Sequence, residues 1–385
     1  MPNLYYYLFS VKKPKGCCYP DLNSCTATKL AIIMRLECLQ ESLEKANLDA
    51  LIVMSEPNIY YLAGTISGGL LVLSSEAEPI LLVHEMNHAI AEAQSSGCEV
   101  KSYKGNELFE TLEKMLGITQ KIGYDDLTLD FSHRLQKNLT NKALISSTEL
   151  IWNMRRIKDE AEQKLMWRAG ELAVLGMEAV RRSIKDGVRE YEVAAEAAHA
   201  MMRNGAEDNA FPVIVASGER SAYPHARPTS RIIRRGDFVT VDIGAAYEGY
   251  KSDITRTFIV GEPSEKQVKI YEAVLNAHQL ALPLIRDGID AKEVDKASRE
   301  TIGKAGYGLY FIHSLGHGVG LEVHEPPNLG ENSRDVLKVG NVVTDEPGVY
   351  IAKFGGVRIE DTVLVTRKGP QSLTAFEKDL EDAII

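Results

Sequence analysis

The chain has 385 residues, of which 44% are hydrophobic and 25% are charged, and its formal net charge at pH 7 is -10. A chain of this length and composition is typical of a globular protein with two domains. The negative charge argues against nucleic acids and anionic membranes as partners, and no apolar run is long enough to span a bilayer.

Residues 1–33 fit the rest of the chain poorly. Residues 4–11 are apolar, but lysines follow them instead of preceding them, which is the reverse of the order in a signal peptide. We interpret residues 1–33 as an extension that packs poorly, or as the result of a start codon assigned too early. A chain that begins at Met34 is therefore expected to fold and act normally.

The cysteines all lie in the N-terminal half of the chain. There are five of them, Cys17, Cys18, Cys25, Cys38 and Cys98. An odd number argues against a disulfide framework and indicates a reducing compartment. We therefore predict a cytoplasmic location.

Between residues 34 and 155 the pattern alternates between strands and helices. Runs rich in β-branched and apolar residues predict strands at 49–54, 69–73, 79–83 and 121–124, with helices between them at 89–94 and 108–115. Such alternation is typical of an α/β domain. We predict that residues 34–155 form this smaller N-terminal domain.

One short motif in this domain is rejected as a catalytic site. His84-Glu85-Met86-Asn87-His88 matches the zinc-protease pattern H-E-x-x-H, in which both histidines share one face of a helix. The motif directly follows a strand-like run, so His84 is expected to precede the helix, and no third ligand follows at the required spacing. We expect a His84→Ala variant to keep full activity.

Residues 156–385 are predicted to form a second domain, of the α+β class. Helices are predicted at 157–187, with Asp159 as the N-cap, and at 190–203, 265–286 and 291–303. Short β-rich runs lie between the helices, and helices around antiparallel strands are typical of a layered α+β fold.

Two aspartates lie in adjacent predicted strands of this second domain. Asp242 ends one run and Asp253 starts the next, with the turn at residues 247–249. Side chains alternate faces along a strand. If the first two turn residues form the loop, Asp242 pairs with Asp253; if the last two form it, Asp253 pairs with Gly244, which is on the face of Asp242. A three-residue loop would put the carboxylates on opposite faces.

Three further polar residues complete a candidate metal cluster. His317 has a glycine on each side, which allows close approach of the backbone. Glu346 and Glu360 flank or lie on the arms of a predicted hairpin made of residues 349–351 and 357–359. Four carboxylates and one imidazole suit a pair of divalent cations, since carboxylate-rich sites favour Mn, Co or Zn over soft metals.

The motifs around these residues resemble those of a metallopeptidase family (peptidase family M24) that includes aminopeptidase P, Xaa-Pro dipeptidase (prolidase) and methionine aminopeptidase. The resemblance covers roughly residues 34–378 and is carried by Asn58-Ile59-Tyr60-Tyr61-Leu62-Ala63-Gly64, Tyr223-Pro224-His225-Ala226, Val241-Asp242-Ile243-Gly244, Ser252-Asp253-Ile254-Thr255-Arg256-Thr257, the run from His317 to Glu325, Glu346-Pro347-Gly348-Val349-Tyr350 and Val357-Arg358-Ile359-Glu360-Asp361-Thr362. It implies a pita-bread (creatinase/aminopeptidase) catalytic domain at 156–385, preceded by a creatinase-like N-terminal domain. It also implies a homodimer.

The resemblance assigns a role to each residue of the cluster. Asp242 would hold one metal with both oxygens, Asp253 and Glu360 would bridge two metals, and His317 and Glu346 would complete the other. The ions would be two divalent metals per chain, manganese or alternatively cobalt or zinc. A water or hydroxide bridging the metals would attack the scissile carbonyl, with Glu346 as the proton shuttle. Since the ligands must be deprotonated, activity is expected to fall on acidification.

Four residues are predicted to contact the substrate. His225 and His324 resemble the family's non-ligand histidines, which bind the substrate carbonyl and stabilise the tetrahedral intermediate. His313 lies close to His317 in sequence and either lines the site or is an ordinary core or loop histidine. Arg358 offers a positive charge for a substrate carboxylate.

The resemblance leaves two substrate classes open. The two-domain layout favours the proline-specific branch, whose site must be shaped for a ring with no N–H. A dipeptidase must recognise a free carboxylate, and dipeptidase-like members often carry an arginine where this chain has Asn328. We therefore predict an Xaa-Pro aminopeptidase acting on short proline-containing peptides, with Xaa-Pro dipeptidase as the alternative. A non-enzymatic binding module of the same fold is disfavoured because every ligand is present.

Overall fold

The structure, a computed structural model, describes residues 27–105 and 107–385. The chain divides into two compact units, one that ends at Ile145 and one that comprises Ser146–Ile385. The apolar run at residues 4–11 and the cysteines Cys17, Cys18 and Cys25 lie outside the described residues. Within those residues, no helix is long and apolar enough to cross a membrane.

The N-terminal unit consists of one mixed sheet with helices. Its helices are α1 (Ala27–Lys45), α2 (Glu56–Ala63), α3 (His88–Gln94), α4 (Glu107–Met115) and α5 (Leu129–Asn138). Its strands are β1 (Ala50–Val53), β2 (Leu70–Ser74), β3 (Ile80–His84), β4 (Glu99–Tyr103), β5 (Lys121–Tyr124) and β6 (Ala143–Ser146). The strands form one six-stranded sheet in the order β4-β3-β2-β1-β5-β6. The β1–β5 and β3–β4 pairs are parallel, and the β1–β2 and β2–β3 pairs are antiparallel.

Apolar runs in the sequence account for the centre of this sheet. Strand β1 is buried along its whole length, and β2 and β3 are buried over most of theirs. The sequence of a strand that is covered on both faces is continuously apolar, whereas a strand with one exposed face alternates between apolar and polar residues. The four predicted strands are confirmed, each with its ends within about one residue of the prediction. Strands β4 and β6 were missed because they are largely exposed and carry no such run.

The H-E-x-x-H motif does not lie on one helix. His84 is the last residue of β3, a short 3-10 turn covers Glu85–Asn87, and α3 begins at His88. His84 therefore precedes the helix, as predicted, and the two histidines do not share a helical face.

Helix α1 crosses the predicted start of the first domain. Because α1 comprises Ala27–Lys45, Met34 lies inside it, and Ile32 is only 4% exposed. A chain that begins at Met34 would lose this buried side chain together with the start of the helix. The domain boundary at Met34 stays a prediction, and the helix argues for a boundary closer to Ala27.

The C-terminal unit is built around a larger sheet whose strand pairs are antiparallel. Its helices are α6 (Thr148–Arg155), α7 (Glu160–Ser183), α8 (Glu190–Arg203), α9 (Glu265–Ala281), α10 (Ala291–Lys304) and α11 (Leu380–Ala383). Its strands are β7 (Asp208–Asn209), β8 (Ile214–Ser217), β9 (Phe238–Ile243), β10 (Ala245–Tyr247), β11 (Tyr250–Lys251), β12 (Ile254–Ile259), β13 (Gly316–Gly318), β14 (Glu325–Leu329), β15 (Val342–Asp345), β16 (Gly348–Ile351), β17 (Gly355–Arg358), β18 (Glu360–Thr366) and β19 (Gly369–Ser372). The 8-stranded sheet follows the order β14-β13-β15-β18-β12-β9-β8, with β19 beside β18.

Local sequence signals set the ends of the long helices. The side chain of Asp159 accepts from the N–H groups of Ala161 and Glu162, and the Glu162 side chain accepts from the N–H of Asp159. This capping box pairs backbone donors that the helix itself leaves free, and it confirms the predicted N-cap of α7. Helix α8 has its predicted bounds. Helix α9 ends before the predicted 286, because Pro283 in the following 3-10 turn cannot continue the α-helical hydrogen bonds.

Candidate metal centre

The candidate site lies on one face of three neighbouring strands, β9, β12 and β18. Thr255 on β12 is paired with Asp242 on β9 and with Glu360 on β18. Residues that face each other on paired strands project to the same side of the sheet. Asp253, two residues before Thr255, lies on that side as well. Ile243, which alternates with Asp242, belongs to the apolar core that contains α7 and α8 residues.

The turn between β10 and β11 fixes the register of the two aspartates. The chain reverses at Glu248 and Gly249, which both have positive φ and form a two-residue loop. This is one of the predicted registers, and it places Asp253 opposite Gly244, on the face of Asp242. A Cβ at Gly244 would lie 1.9 Å from a backbone carbonyl oxygen, so the backbone approach there requires glycine.

His317 on β13 reaches the site because glycines flank it. A Cβ at Gly316 would lie 2.1 Å from the carbonyl oxygen of Thr344, and one at Gly318 would lie 2.4 Å from a backbone oxygen at β14. The predicted close approach of the backbone is therefore confirmed. The Nδ1 of His317 is 3.0 Å from the carbonyl oxygen of Gly318, which can only accept. Nδ1 thus carries a proton in either charge state of the ring, so a ring that binds a metal would do so through the lone pair of Nε2.

Glu346 and Glu360 stand on either side of a hairpin. Strands β16 and β17 pair with Val349 opposite Val357, which confirms the predicted hairpin. Glu346 precedes this hairpin, and its Oε1 lies 3.2 Å from Nε2 of His317. Glu360 begins β18, and its Oε2 accepts a hydrogen bond of 2.5 Å from the hydroxyl of Thr255.

The donor set fits a divalent cation. One ligand atom from each of Asp253, His317 and Glu360 lies within 4.8 Å of the others. Asp242 Oδ1, Asp253 Oδ1 and Glu360 Oε1 are buried, and no hydrogen-bond partner for them occurs in the described part of the chain. Leaving carboxylate oxygens in this state is costly unless a cation binds them. Carboxylates combined with one imidazole suit hard or borderline dications.

Burial and mutual repulsion oppose negative charge at two of these carboxylates. Burial raises the pKa of Asp253 well above its ordinary value, and the charges of Glu360, Asp242 and Glu346 raise it further. Burial likewise raises the pKa of Glu360, with added repulsion from Glu346 and Asp242. At Glu346 burial is outweighed by the hydrogen bond and charge of His317, and the pKa falls to about 2. The ionised forms of Asp253 and Glu360 therefore need an added cation.

Arg358 is buried and donates to groups of the protein itself. Its Nη2 donates to Oδ2 of Asp242 at 2.7 Å, its Nη1 to the hydroxyl of Tyr350 at 2.8 Å, and its Nε to the hydroxyl of Thr255 at 3.0 Å. The hydroxyl of Tyr350 also lies 2.9 Å from Nε2 of His313. These contacts orient Asp242, and none of them leaves Arg358 aimed at a substrate carboxylate. Its predicted substrate contact stays a prediction.

One cavity of about 820 Å³ brings all of the predicted site residues together. Its lining includes Asp242, Asp253, His317, Glu346 and Glu360 together with His225, His313, His324 and Arg358. The ring centroids of His317 and His324 are 4.2 Å apart. Burial lowers the pKa of His324, and the charge of His317 lowers it further, which favours the neutral ring. The lining also includes Phe211, Pro212, Ile214, Pro224, Val323, Arg156, Arg227 and Asn328.

The two units match two known families. Residues 35–157 match the family described as the creatinase/prolidase N-terminal domain, and residues 164–367 match metallopeptidase family M24. Every candidate metal ligand lies inside the second range. The chain is also 43% identical over 344 residues to an Xaa-Pro dipeptidase of Pyrococcus horikoshii, an alignment that covers 88% of this chain and 96% of that relative.

Two solved structures show the same likeness in space. The prolidase from Pyrococcus horikoshii OT3 matches with a TM-score of 0.86 and 41% identity, over 90% of this chain and 99% of that one. An X-Pro aminopeptidase from Thermotoga maritima matches with a TM-score of 0.80 and 31% identity, over 89% of this chain and 100% of that one. The predicted fold, a creatinase-like N-terminal domain followed by a pita-bread catalytic domain, is thereby confirmed.

Proposed function

The chain belongs to metallopeptidase family M24 and is a metallo-exopeptidase, and we propose that within this family it is an Xaa-Pro dipeptidase. The observation that carries the proposal is the 43% identity to an Xaa-Pro dipeptidase along 88% of this chain and 96% of the relative. The sequence motifs alone favoured an Xaa-Pro aminopeptidase, with the dipeptidase as the alternative. The relatives support that alternative better than the first choice.

We assign two divalent cations to Asp242, Asp253, His317, Glu346 and Glu360. The assignment is supported by the unpaired buried carboxylate oxygens and by the close grouping of ligand atoms. Divalent cations bound there would lower the pKa of water and polarise the scissile carbonyl. We propose manganese as the native ion, with cobalt or zinc as alternatives. Elemental analysis of the purified protein tests the choice of ion.

The side chains around the cluster supply the proton transfer and the carbonyl contacts. Glu346 lies in the cavity beside His317, and its carboxylate can accept the proton of an attacking water. His225 and His324 line the same cavity. They would donate hydrogen bonds to the scissile carbonyl oxygen as it gains negative charge.

The cavity also suits a proline ring. A proline nitrogen carries no N–H, so the residue after the scissile bond must be recognised through its shape and apolar surface. Phe211, Ile214 and Pro224 supply apolar surface in the cavity lining. They are the side chains we expect to contact the ring.

A dipeptidase must bind the free carboxylate of its substrate, and Asn328 brings no charge for this. Two arginines besides Arg358 line the cavity, Arg156 and Arg227. The side chain of Arg156 lies 3.9 Å from Asp335, which also accepts a hydrogen bond of 2.9 Å from the N–H of Asn328. Arg156 therefore lies close to the position where dipeptidase-like relatives carry their arginine. Arginine suits carboxylates because its planar fork can donate two parallel hydrogen bonds.

An Xaa-Pro aminopeptidase is the second candidate function. It is favoured by Asn328 and by the likeness to the X-Pro aminopeptidase from Thermotoga maritima, at 31% identity. An aminopeptidase of this type acts on longer peptides and so needs no charge at the position of the dipeptide carboxylate.

The two candidates are separated by one assay of hydrolysis. An Xaa-Pro dipeptide and an Xaa-Pro-Xaa tripeptide are offered side by side to chelated protein, before and after addition of Mn²⁺. We expect metal-dependent cleavage of the dipeptide. Cleavage of the tripeptide alone would assign the chain to the aminopeptidases, and cleavage of neither with metal bound would refute both.

A homodimer and a cytoplasmic location are proposals as well. The first is carried by the family resemblance and the second by the odd number of cysteines. Light scattering of the purified protein tests the first: we expect about twice the mass of one chain, and a single-chain mass would refute it. Fractionation of the source cells tests the second, which recovery outside the cytoplasm would refute.

A further inference from the structure

A second group of charged residues lies behind the candidate metal centre. We call the side of the sheet that carries Asp242 and Glu360 the front face, and the opposite side the back face. Asp345 on β15 is paired directly with Asp361 on β18, and both are 0% exposed. Asp345 immediately precedes Glu346, and Asp361 immediately follows Glu360. Because side chains alternate along a strand, Asp361 projects to the back face.

The paired aspartates need a cation between them. Two like charges directly opposite each other on paired strands repel, and burial removes the water that would screen them. His278 of α9, only 1% exposed, supplies the contact. Its Nδ1 lies 3.0 Å from Oδ2 of Asp345, and its Nε2 lies 3.4 Å from Oδ2 of Asp361. One imidazole therefore spans both carboxylates.

The two carboxylates differ in their other partners. Asp361 also contacts the ammonium of Lys378, and its Oδ1 lies 2.8 Å from Nη2 of Arg256. For Asp345, His278 is the one cationic side chain within ion-pair distance in residues 27–105 and 107–385. Removal of His278 would thus leave Asp345 without its cationic partner, directly opposite Asp361.

The charge state of His278 agrees with this arrangement. Burial lowers the pKa of His278, but the charges and hydrogen bonds of Asp345 and Asp361 outweigh burial and raise it to about 9. The contacts with the two carboxylates thus favour the protonated ring. The ammonium of Lys378 lies 3.1 Å from Nε2 of His278 and is the remaining charged neighbour of the ring.

The aspartate pair lies at the end of the β15–β18 ladder, directly beside two of the proposed metal ligands. The ladder between β15 and β18 runs from Val342 opposite Leu364 to Asp345 opposite Asp361, and that is its last pair. Glu346 lies beyond the ladder, where its N–H donates to the carbonyl oxygen of Leu315 at 2.9 Å. Glu346 follows Asp345, and Glu360 precedes Asp361. The distance between the two strands at the aspartate pair therefore helps to set the distance between the two glutamates.

We propose that His278 is a positioning residue that clamps Asp345 to Asp361 from the back face, and thereby holds Glu346 and Glu360 at the spacing that binds metal. The proposal rests on the metal assignment made under the proposed function. His278 touches neither substrate nor ligand in this account. It acts through the backbone of the two strands, as partners of metal ligands commonly do when they set affinity.

The test is a double-mutant cycle read by metal affinity. Mn²⁺ binding to the metal-free chain is measured by calorimetry for the wild type, His278→Gln, Asp345→Asn and the double variant. His278→Gln should weaken Mn²⁺ binding by about tenfold or more, because Asp345 is left unpaired. Asp345→Asn in the same background should restore most of the affinity, because no unpaired carboxyl group then stands opposite Asp361.

A control variant separates positioning from general stability. Arg231→Gln breaks the ion pair between Arg231 and Asp237, whose atoms lie 2.6 Å apart in the same unit and away from the aspartate pair. It should lower the melting temperature and leave Mn²⁺ affinity unchanged. If His278→Gln behaves like Arg231→Gln, losing stability but binding Mn²⁺ as tightly as the wild type, the clamp is refuted.

Two further outcomes are also decisive. If His278→Gln does not fold, Asp345→Asn is compared with the double variant: the clamp predicts nearly equal Mn²⁺ affinities, and a tenfold difference would overturn it. If the wild type itself binds no Mn²⁺, the metal assignment fails and the clamp fails with it. If the wild type binds Mn²⁺ and His278→Gln binds it equally tightly, the clamp is overturned and the metal assignment stands.

Discussion

The front and back faces of the same strands bury acidic residues in opposite electrostatic settings. On the front face, Asp253 and Glu360 have no lysine or arginine within ion-pair distance in the part of the chain that the structure describes, and burial raises the pKa of both. On the back face, burial of Asp361 is outweighed by Arg256, His278 and Lys378, and its pKa falls far below the ordinary value. Burial of an acid is thus shared by both faces. What distinguishes Asp253 and Glu360 from Asp361 is that no lysine or arginine of the described residues lies within ion-pair distance of them.

Substitution of a front-face acid should have the largest effect on catalysis. Asp253→Asn removes a bridging ligand, so kcat/KM for an Xaa-Pro dipeptide should fall by about a thousandfold, since bound metal supplies several kcal/mol of transition-state stabilisation. The same change removes a buried like charge, so the metal-free protein should melt at an unchanged or higher temperature. Steady-state kinetics and scanning calorimetry measure the two effects. A variant that is inactive and also strongly destabilised would contradict the front-face account.

Substitution of the back-face acid should act on stability instead. Asp361→Asn leaves Arg256, Lys378 and His278 without their shared counter-charge, and breaking a buried ion pair of this kind costs about 3 kcal/mol or more. Denaturant unfolding of the metal-free variant gives the free energy of unfolding. Equal stabilities for Asp361→Asn and Asp253→Asn would abolish the distinction between the two faces.

The cavity on the front face should provide an arginine that binds the carboxylate of the substrate, whereas the cationic side chains of the back face bind only groups of the protein. Arg156→Ala and Arg227→Ala are each assayed with an Xaa-Pro dipeptide and with its C-terminal amide, which lacks the negative charge. Loss of the arginine that binds the carboxylate should raise KM for the dipeptide by about tenfold or more, because a hydrogen bond to a charged group contributes about 1.5–3 kcal/mol. KM for the amide should not change. Equal effects on both substrates would exclude that arginine from carboxylate recognition.

The smallest expected effect is a pH dependence confined to the back face. The pKa of His278 is raised from 6.5 to about 9 by Asp345 and Asp361, against the opposing effect of burial. A raised histidine pKa stabilises the fold fully below the unfolded value and loses that stabilisation as pH rises through the folded value. The melting-temperature difference between metal-free wild type and His278→Gln should therefore shrink as the pH rises from 6.5 to above 9. A constant difference would show that His278 is not charged.

Much of the front face could be predicted because its signals are local. The turn at Glu248 and Gly249 sets the register of the two aspartates, and the glycines beside His317 permit the close approach of β13. Thr255 and Tyr350 were missed as partners of the ligands, although both lie in the quoted motifs. Alternation along β12 carried a signal for Thr255, since it lies two residues from Asp253 and shares its face.

The back face could not be predicted, because its contacts join distant segments. Nothing in the sequence around His278 distinguishes it from other polar residues of a helix, and its partners depend on how α9 packs on the sheet. The preference for an aminopeptidase had a related cause. It rested on Asn328 alone, whereas Arg156 and Arg227 come to the cavity from other segments of the chain.

The content of bound metal is the most direct test of the metal centre on the front face. We expect about two divalent ions per chain in the wild type, clearly fewer in Glu360→Gln, and the wild-type number in Arg231→Gln. Elemental analysis after dialysis against Mn²⁺ and removal of free ions gives these numbers. A wild-type chain that retains no metal under these conditions, or a Glu360→Gln chain that retains as much as the wild type, would contradict the assignment of the front face as a metal centre.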